Sequence, residues 1–258
     1  MSISIAKSIK IGLLASLITL SGCGGGSDSS STSTSDPSAT ARPIATNNLR
    51  IYQSGDSIQY DVTANISIGG VIQDTFIGTI SYTVTLQAGP VDPAGVLHSI
   101  FSSSTNLTAS NGAPSTNVTT TYFEQDAVGN MNFYGDSTDG WITTPASGFY
   151  TGSKSPLTSP DSWAGSFITQ NGTATNYSTT VVNKEFVATG SGSFETFKVI
   201  DNLSSTDANG ITSSLTSTQY VVPSIGAVKV IEAESKNTTN GLQTITVTAI
   251  MSTTNIPF

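Results

Sequence analysis

The sequence predicts an all-β protein: a single curved antiparallel sheet of about ten strands forming a half-barrel or barrel, with a two-sheet β-sandwich as the alternative. Three observations carry this reading. From Leu49 to Phe258 apolar side chains recur at every second position rather than every third or fourth. Asn-Gly and Asp-Gly dipeptides fall between the alternating runs, where tight hairpins need residues that tolerate positive φ. No amphipathic helix is visible beyond residue 22, so the apolar strand faces must meet each other, across a curled sheet or between two sheets.

The runs follow in order. Ile58, Tyr60, Val62, Ala64 and Ile66 alternate with Ser57, Gln59, Asp61, Thr63 and Asn65. Phe76, Gly78, Ile80, Tyr82, Val84 and Leu86 alternate with a mostly Thr and Ser face, as do Ile245, Val247 and Ala249. Threonine keeps β-propensity on the wet face without adding apolar area. Turns are expected at Asn111-Gly112, Gly129-Asn130, Asp139-Gly140, Asn171-Gly172, Asn209-Gly210 and Asn240-Gly241. Pro223 should end a strand, Gly226 should let the chain turn back, and Lys198 and Lys229 should face water. One stretch breaks the rhythm. Residues 137–162 hold Pro145, Pro156 and Pro160 together with Trp141, Phe149 and Tyr150, and read as a long functional loop.

Composition narrows function by exclusion. The chain has 258 residues, of which 10% are charged, and its formal net charge is −8. Nine Lys and Arg cannot build a phosphate-tracking stripe, so no nucleic-acid partner is expected. One Cys excludes internal disulfides and thiolate zinc clusters, and one His excludes most His-based metal sites. No metal and no cofactor is expected.

The N-terminus reads as an address. Lys7 and Lys10 precede an apolar run from Ile11 to Leu20, too short to span about 30 Å of hydrocarbon. The run ends in Leu20-Ser21-Gly22-Cys23, which resembles the lipobox of bacterial lipoprotein signal sequences. That resemblance implies removal of residues 1–22, acylation of Cys23, and, with Gly24 rather than Asp next, an outer-membrane destination. Loss of Lys7 and Lys10 would take the net charge from −8 to −10. Residues 23–46, rich in Gly, Ser and Thr, are expected to form a disordered tether. Residues 47–258 then make one β domain.

Catalytic signatures are sparse. His98 is the only candidate base, and no Gly-x-Ser-x-Gly elbow is present, so His98 is expected to be structural or simply exposed within a strand from Val96 to Thr105. Glu124, Asp126, Asp136 and Asp139 are the carboxylates a glycan hydrolase would draw on, yet acids at turns are ordinary. Asp207-Ala-Asn209-Gly210 begins but does not complete a calcium loop. No catalytic residue is assigned, and the expectation is a protein that is not an enzyme.

The second half carries an ordered set of motifs: Ser162-Trp163-Ala164-Gly165, Glu185, Gly192-Ser193-Phe194, Phe197-Lys198-Val199, Tyr220-Val221-Val222-Pro223 and Gly226-Ala227-Val228-Lys229. This order resembles that of uncharacterised secreted β-proteins and lipoproteins of the bacterial envelope, which are similar at fold level to half-barrel periplasmic lipoprotein carriers. Those carriers close their cavity with helices and this chain shows none, so no transport role is carried over. The expectation is a lipid-anchored envelope protein, periplasmic or surface-exposed, that binds an apolar or lipid ligand through Trp141, Phe149, Tyr150 and Trp163. An envelope protein partner is the alternative, and carboxylate-based glycan hydrolysis is a further one.

Overall fold

The computed structural model describes residues 41–238 and 241–257. The signal segment, Cys23, the tether up to Thr40, and Asn240 of the last expected turn lie outside the described residues. Thirteen strands follow one another: β1 (Ser57–Ile68), β2 (Val71–Thr85), β3 (Ser99–Ala109), β4 (Pro114–Gln125), β5 (Met131–Asp136), β6 (Gly140–Thr144), β7 (Tyr150–Ser153), β8 (Asp161–Thr169), β9 (Ala174–Thr189), β10 (Gly192–Thr206), β11 (Thr212–Val222), β12 (Gly226–Thr238) and β13 (Gly241–Thr254). The described residues contain no helix.

The strands form one antiparallel sheet in the order β4-β3-β2-β1-β13-β12-β11-β10-β9-β8-β6-β5, and pairing of β5 with β4 closes the ring. Twelve strands make the barrel, and β7 pairs with β5 as a thirteenth outside the ring. The expected single antiparallel sheet is present. The half-barrel and the count of about ten are corrected, because the stretch 137–162 is not one loop: it contributes β6, β7 and the first residues of β8.

Alternation decides what faces inward. Tyr60, Val62, Ala64 and Ile66 of β1 pack inside with Ile80, Tyr82, Val84, Val247, Ala249 and Met251, all at most 6% exposed. Their partners in sequence, from Ser57 to Ser67, face solvent or the rim. An apolar interior under a Thr- and Ser-rich exterior is the reverse of a membrane-spanning barrel, whose apolar band faces lipid. Gly78 marks a close approach in this wall: a Cβ there would sit 2.0 Å from the Asn106 carbonyl oxygen of β3. Hairpins turn at the expected dipeptides, with Gly112, Gly172 and Gly210 at φ 84°, 85° and 76°. Acids and amides lock them. Asp207 Oδ1 accepts from the Asn209 and Ile211 amides, and Asp126 Oδ1 accepts likewise from Val128 and Asn130.

The two barrel ends differ. One carries the hairpins β1–β2, β3–β4, β8–β9, β10–β11 and β12–β13. The other is plugged by residues 42–56. Arg42 bridges to Phe194 at the start of β10, and Ile44 packs against the core. The chain then crosses the end, sinking Leu49 into the core and Tyr52 against Phe101 and Phe123. A buried ion pair holds the crossing: Arg50 Nε and Nη2 donate to the two oxygens of Asp56 at 3.0 and 2.9 Å. Tyr60 ties the same end together by donating to the Ala227 carbonyl at 2.6 Å.

Candidate functional site

The seam of the barrel, from β5 to β8, holds every residue the sequence marks for ligand binding. Here the wall is irregular. β6 pairs with β5 only at Trp141–Gly135 and Gly140–Asp136, then leaves for β8 at Ile142 and Thr144. β7 takes the vacated edge of β5, setting Tyr150 beside Phe133 and Thr151 beside Asn132. The crossing is tight. Gly135 adopts φ 141°, and a Cβ there would meet the Gly140 carbonyl oxygen at 2.2 Å.

This exchange of neighbours splits the expected aromatic set. Tyr150 points into the barrel, stacked on Phe167 at 4.6 Å with 7° between planes, and 5.1 Å from Tyr177. Trp163 also packs against the core, with the Lys154 ammonium 5.3 Å from its ring centroid. Trp141 and Phe149 lie on the opposite face of the wall. Trp141 sits 4.6 Å from Tyr122 and 5.5 Å from His98, while Phe149 is 5.4 Å from Tyr134. The four residues therefore do not converge on one ligand. They form an inner pair and an outer strip.

On the inner side is a cavity of about 80 Å³, floored by Phe133, Ile142, Tyr150, Phe167 and Leu203 and rimmed by Asp136, Asp139, Thr173 and Ser205. It is well below the roughly 300–1,000 Å³ of ordinary ligand pockets, and about half the roughly 150 Å³ that admits benzene in an engineered core. It opens at the hairpin end, away from the plug. Burial raises the Tyr150 hydroxyl far above its ordinary value, and the charges of Asp201, Asp136 and Tyr177 add to the shift.

Behind Tyr150 runs a row of inward polar side chains that sequence reasoning missed. Thr179, Asp201, Ser217 and Glu232 are register neighbours across β9, β10, β11 and β12. Asp201 is 4% exposed; Thr179 Oγ1 donates to it at 2.6 Å, and the Gln219 amide donates to its other oxygen. Burial pushes its carboxyl up to about 7 against the opposing pull of those hydrogen bonds. Glu234, one inward position beyond Glu232, is likewise pushed up to about 7 by burial, with Lys236 pulling the other way. The signal was present: Asp201, Glu232 and Glu234 are in phase with Val199 and Val230. Hydropathy misleads here, because Ile231 is 38% exposed while Glu232 is 3% exposed.

The other candidates separate. His98 lies in the β2–β3 loop just before β3, 1% exposed, with Nε2 3.1 Å from Asp92 and Nδ1 3.4 Å from Glu124. Glu124 also accepts from the Ser99 amide at 3.1 Å. Glu124 and Asp126 stand at one end of β5, and Asp136 and Asp139 at the other. Some 13–17 Å of extended strand lies between them, beyond the roughly 5–9.5 Å at which glycosidase carboxylates cooperate. Asp136 accepts from the Asp139 amide at 2.8 Å, and Asp139 from the Asn171 side chain at 2.6 Å, as turn caps do. Among the described residues no group of three His, Cys, Asp or Glu side chains is placed to hold a metal ion.

No protein-family model matches the chain. No curated protein matches it in sequence. Among solved structures, it is similar to a protein described as exported, with a YmcC-like fold, from Bacteroides fragilis, at 13% identity over 84% of this chain and 99% of that one, with a TM-score of 0.39. A protein described as a lipoprotein from Parabacteroides distasonis matches at 14% identity over 79% of this chain and 96% of that one, with a TM-score of 0.40. Likeness at this level carries no argument about function.

Proposed function

We propose that this chain is a lipid-anchored protein of the bacterial envelope, acylated at Cys23 and carried to the outer membrane, that binds a ligand at the barrel seam rather than transforming one. The observation that carries the binding reading is the cavity itself: aromatic and aliphatic side chains floor it, and carboxylates and hydroxyls rim it. That lining suits an apolar group of a few carbon atoms, smaller than a benzene ring, bearing a hydroxyl or amine substituent. At about 80 Å³ the cavity has no room for an acyl chain, and the ligand class narrows from lipids to small amphipathic molecules.

Saturation-transfer NMR of the mature protein against a panel of short-chain alcohols, amines and diols tests this. Thr173 stands at the rim, and Thr173→Trp should fill the opening without emptying the core. Binders found with the parent protein should be lost in that variant. Signals that persist in Thr173→Trp would reject the cavity as the site.

The outer strip of Tyr122, Trp141, Tyr134 and Phe149 supports a second reading, in which the seam docks an envelope protein. In that case Trp141→Ala lowers affinity for a partner cross-linked in cells and leaves the NMR binders unchanged. The anchor has its own test: Cys23→Ser should abolish palmitate incorporation.

A further inference from the structure

We infer that the ligand of the seam cavity is a small organic cation, a primary alkylammonium of a few carbon atoms. The inference rests on the binding reading above and narrows its hydroxyl or amine to a charged amine. Sign comes from the lining. Asp136 and Asp139 stand in it, and no Lys, Arg or His joins them. Lys236, whose charge acts on Asp207 and Glu234, lies outside the lining. Among the described residues Asp139 meets one side-chain donor, the Asn171 amide on Oδ1 at 2.6 Å, which leaves Oδ2 for a ligand. An ionised carboxylate accepts and never donates, so its ligand must bring N–H or O–H. An alcohol brings one donor, whereas an ammonium brings three together with the opposite charge. A carboxylate ligand of the same length would meet like charge.

An independent observation comes from β4. Thr121 lines the cavity at 5% exposure, and its Oγ1 has no hydrogen-bond partner among the described residues. Buried hydroxyls in native proteins are almost always bonded, to protein, water or ligand, and leaving one unbonded is costly. This one marks a place for a polar ligand group. Register sets Thr121 directly opposite Asp136 across the β4–β5 pairing, and Asp139 follows in the turn between β5 and β6. The orphaned hydroxyl and the two carboxylates thus gather on one side of the cavity, where the ammonium head would sit. The floor fits the alkyl part. Phe133, Ile142, Phe167 and Leu203 offer apolar surface. Burial, aided by the charges of Asp201 and Asp136, keeps the Tyr150 hydroxyl neutral, so the floor adds no charge of its own. At about 80 Å³ the space ends the chain after a few carbon atoms and excludes an aromatic amine.

Chemical-shift titration of the mature protein with n-propylammonium, n-propanol and propionate, at neutral pH and constant ionic strength, tests the charge directly. Propylammonium should bind about tenfold tighter than propanol or better, and propionate should not bind. Asp139→Asn keeps an acceptor for Asn171 and removes the charge. It should cost propylammonium about tenfold and propanol far less. Thr121→Val should also weaken propylammonium. Propanol bound as tightly as propylammonium, with both lost in Thr173→Trp, would overturn the cation and keep the cavity as the site. Propylammonium binding that survives Thr173→Trp would be attraction to the acidic surface at large and would overturn the inference, as would binding unchanged in both Asp139→Asn and Thr121→Val. A response to none of the three probes would overturn it too, and the wider panel of alcohols, amines and diols then decides the cavity reading separately.

Discussion

From β8 through β13 and on from β1 to β4, neighbouring strands pair over at least eight residues, mostly with a single bulge or none. Across the seam the pairing falls to two residues between β5 and β6 and two between β6 and β8. The long wall supplies rigidity: its inward side chains fill the barrel, and its turns are capped. The seam supplies surface, because a strand that changes neighbours leaves side chains on both faces without a regular row to pack in. The cavity inside and the aromatic strip outside are the two products of one irregularity.

The contrast predicts unequal penalties. Phe123, at the well-packed end of β4, is 1% exposed and stacked on Phe101 at 4.1 Å, so Phe123→Ala should cost about 3–5 kcal/mol. Trp141→Ala on the outer seam should cost about 1 kcal/mol or a little more, since the ring is only half-buried. Chemical denaturation of the two variants checks the ranking. Similar losses would mean that the seam is as much a part of the scaffold as the wall.

A second effect belongs to the wall's polar row. Asp201 and Glu234 bind their protons more tightly in the folded protein, at about 7, than in the unfolded chain, at 3.8 and 4.5. The stability they contribute is complete at acid pH and is lost as pH rises through the folded values. Each acid should account for about 3 kcal/mol, on an order-of-magnitude scale, between pH 4 and 8. Melting curves across that range should show the protein weakening toward pH 8, and Asp201→Asn should flatten the slope. A melt that strengthens with rising pH would contradict this placement.

Backbone geometry sharpens the comparison further. Gly135→Ala forces a side chain into the β6 crossing at positive φ, and should cost about 1–3 kcal/mol. Its damage should stay local: exchange should quicken in 140–144 and 150–153 and hold steady in β10–β12. The smallest effect is expected at the turn caps, where Asp207→Ala removes two amide partners at an exposed hairpin and should shift the denaturation midpoint least of these variants.

Most of the wall was readable because period-two alternation and Asn-Gly turns are local signals. Ile58 to Ile66 and Ile245 to Ala249 face inward as their spacing requires, and Lys198 and Lys229 flank Tyr220 on the outer face at 5.9 and 5.4 Å from its ring. The seam was not readable in that way. Gly140–Thr144 and Tyr150–Ser153 are too short to show a period, and which face Trp141 or Tyr150 takes depends on which neighbour the strand adopts. Closure likewise depends on a non-local choice, the pairing of β1 with β13, the first and last strands of the chain. The buried acids lay hidden for the opposite reason: alternation marked them correctly, and their charge argued against it.

Native mass spectrometry of the Cys23→Ser protein, purified from cells without refolding, tests the central claim most directly. The small seam cavity predicts a bound mass of a small molecule, displaced in Thr173→Trp, and no phospholipid or fatty acid. An acyl lipid retained through purification, and retained equally in Thr173→Trp, would contradict both the small-molecule reading and the seam as the binding site.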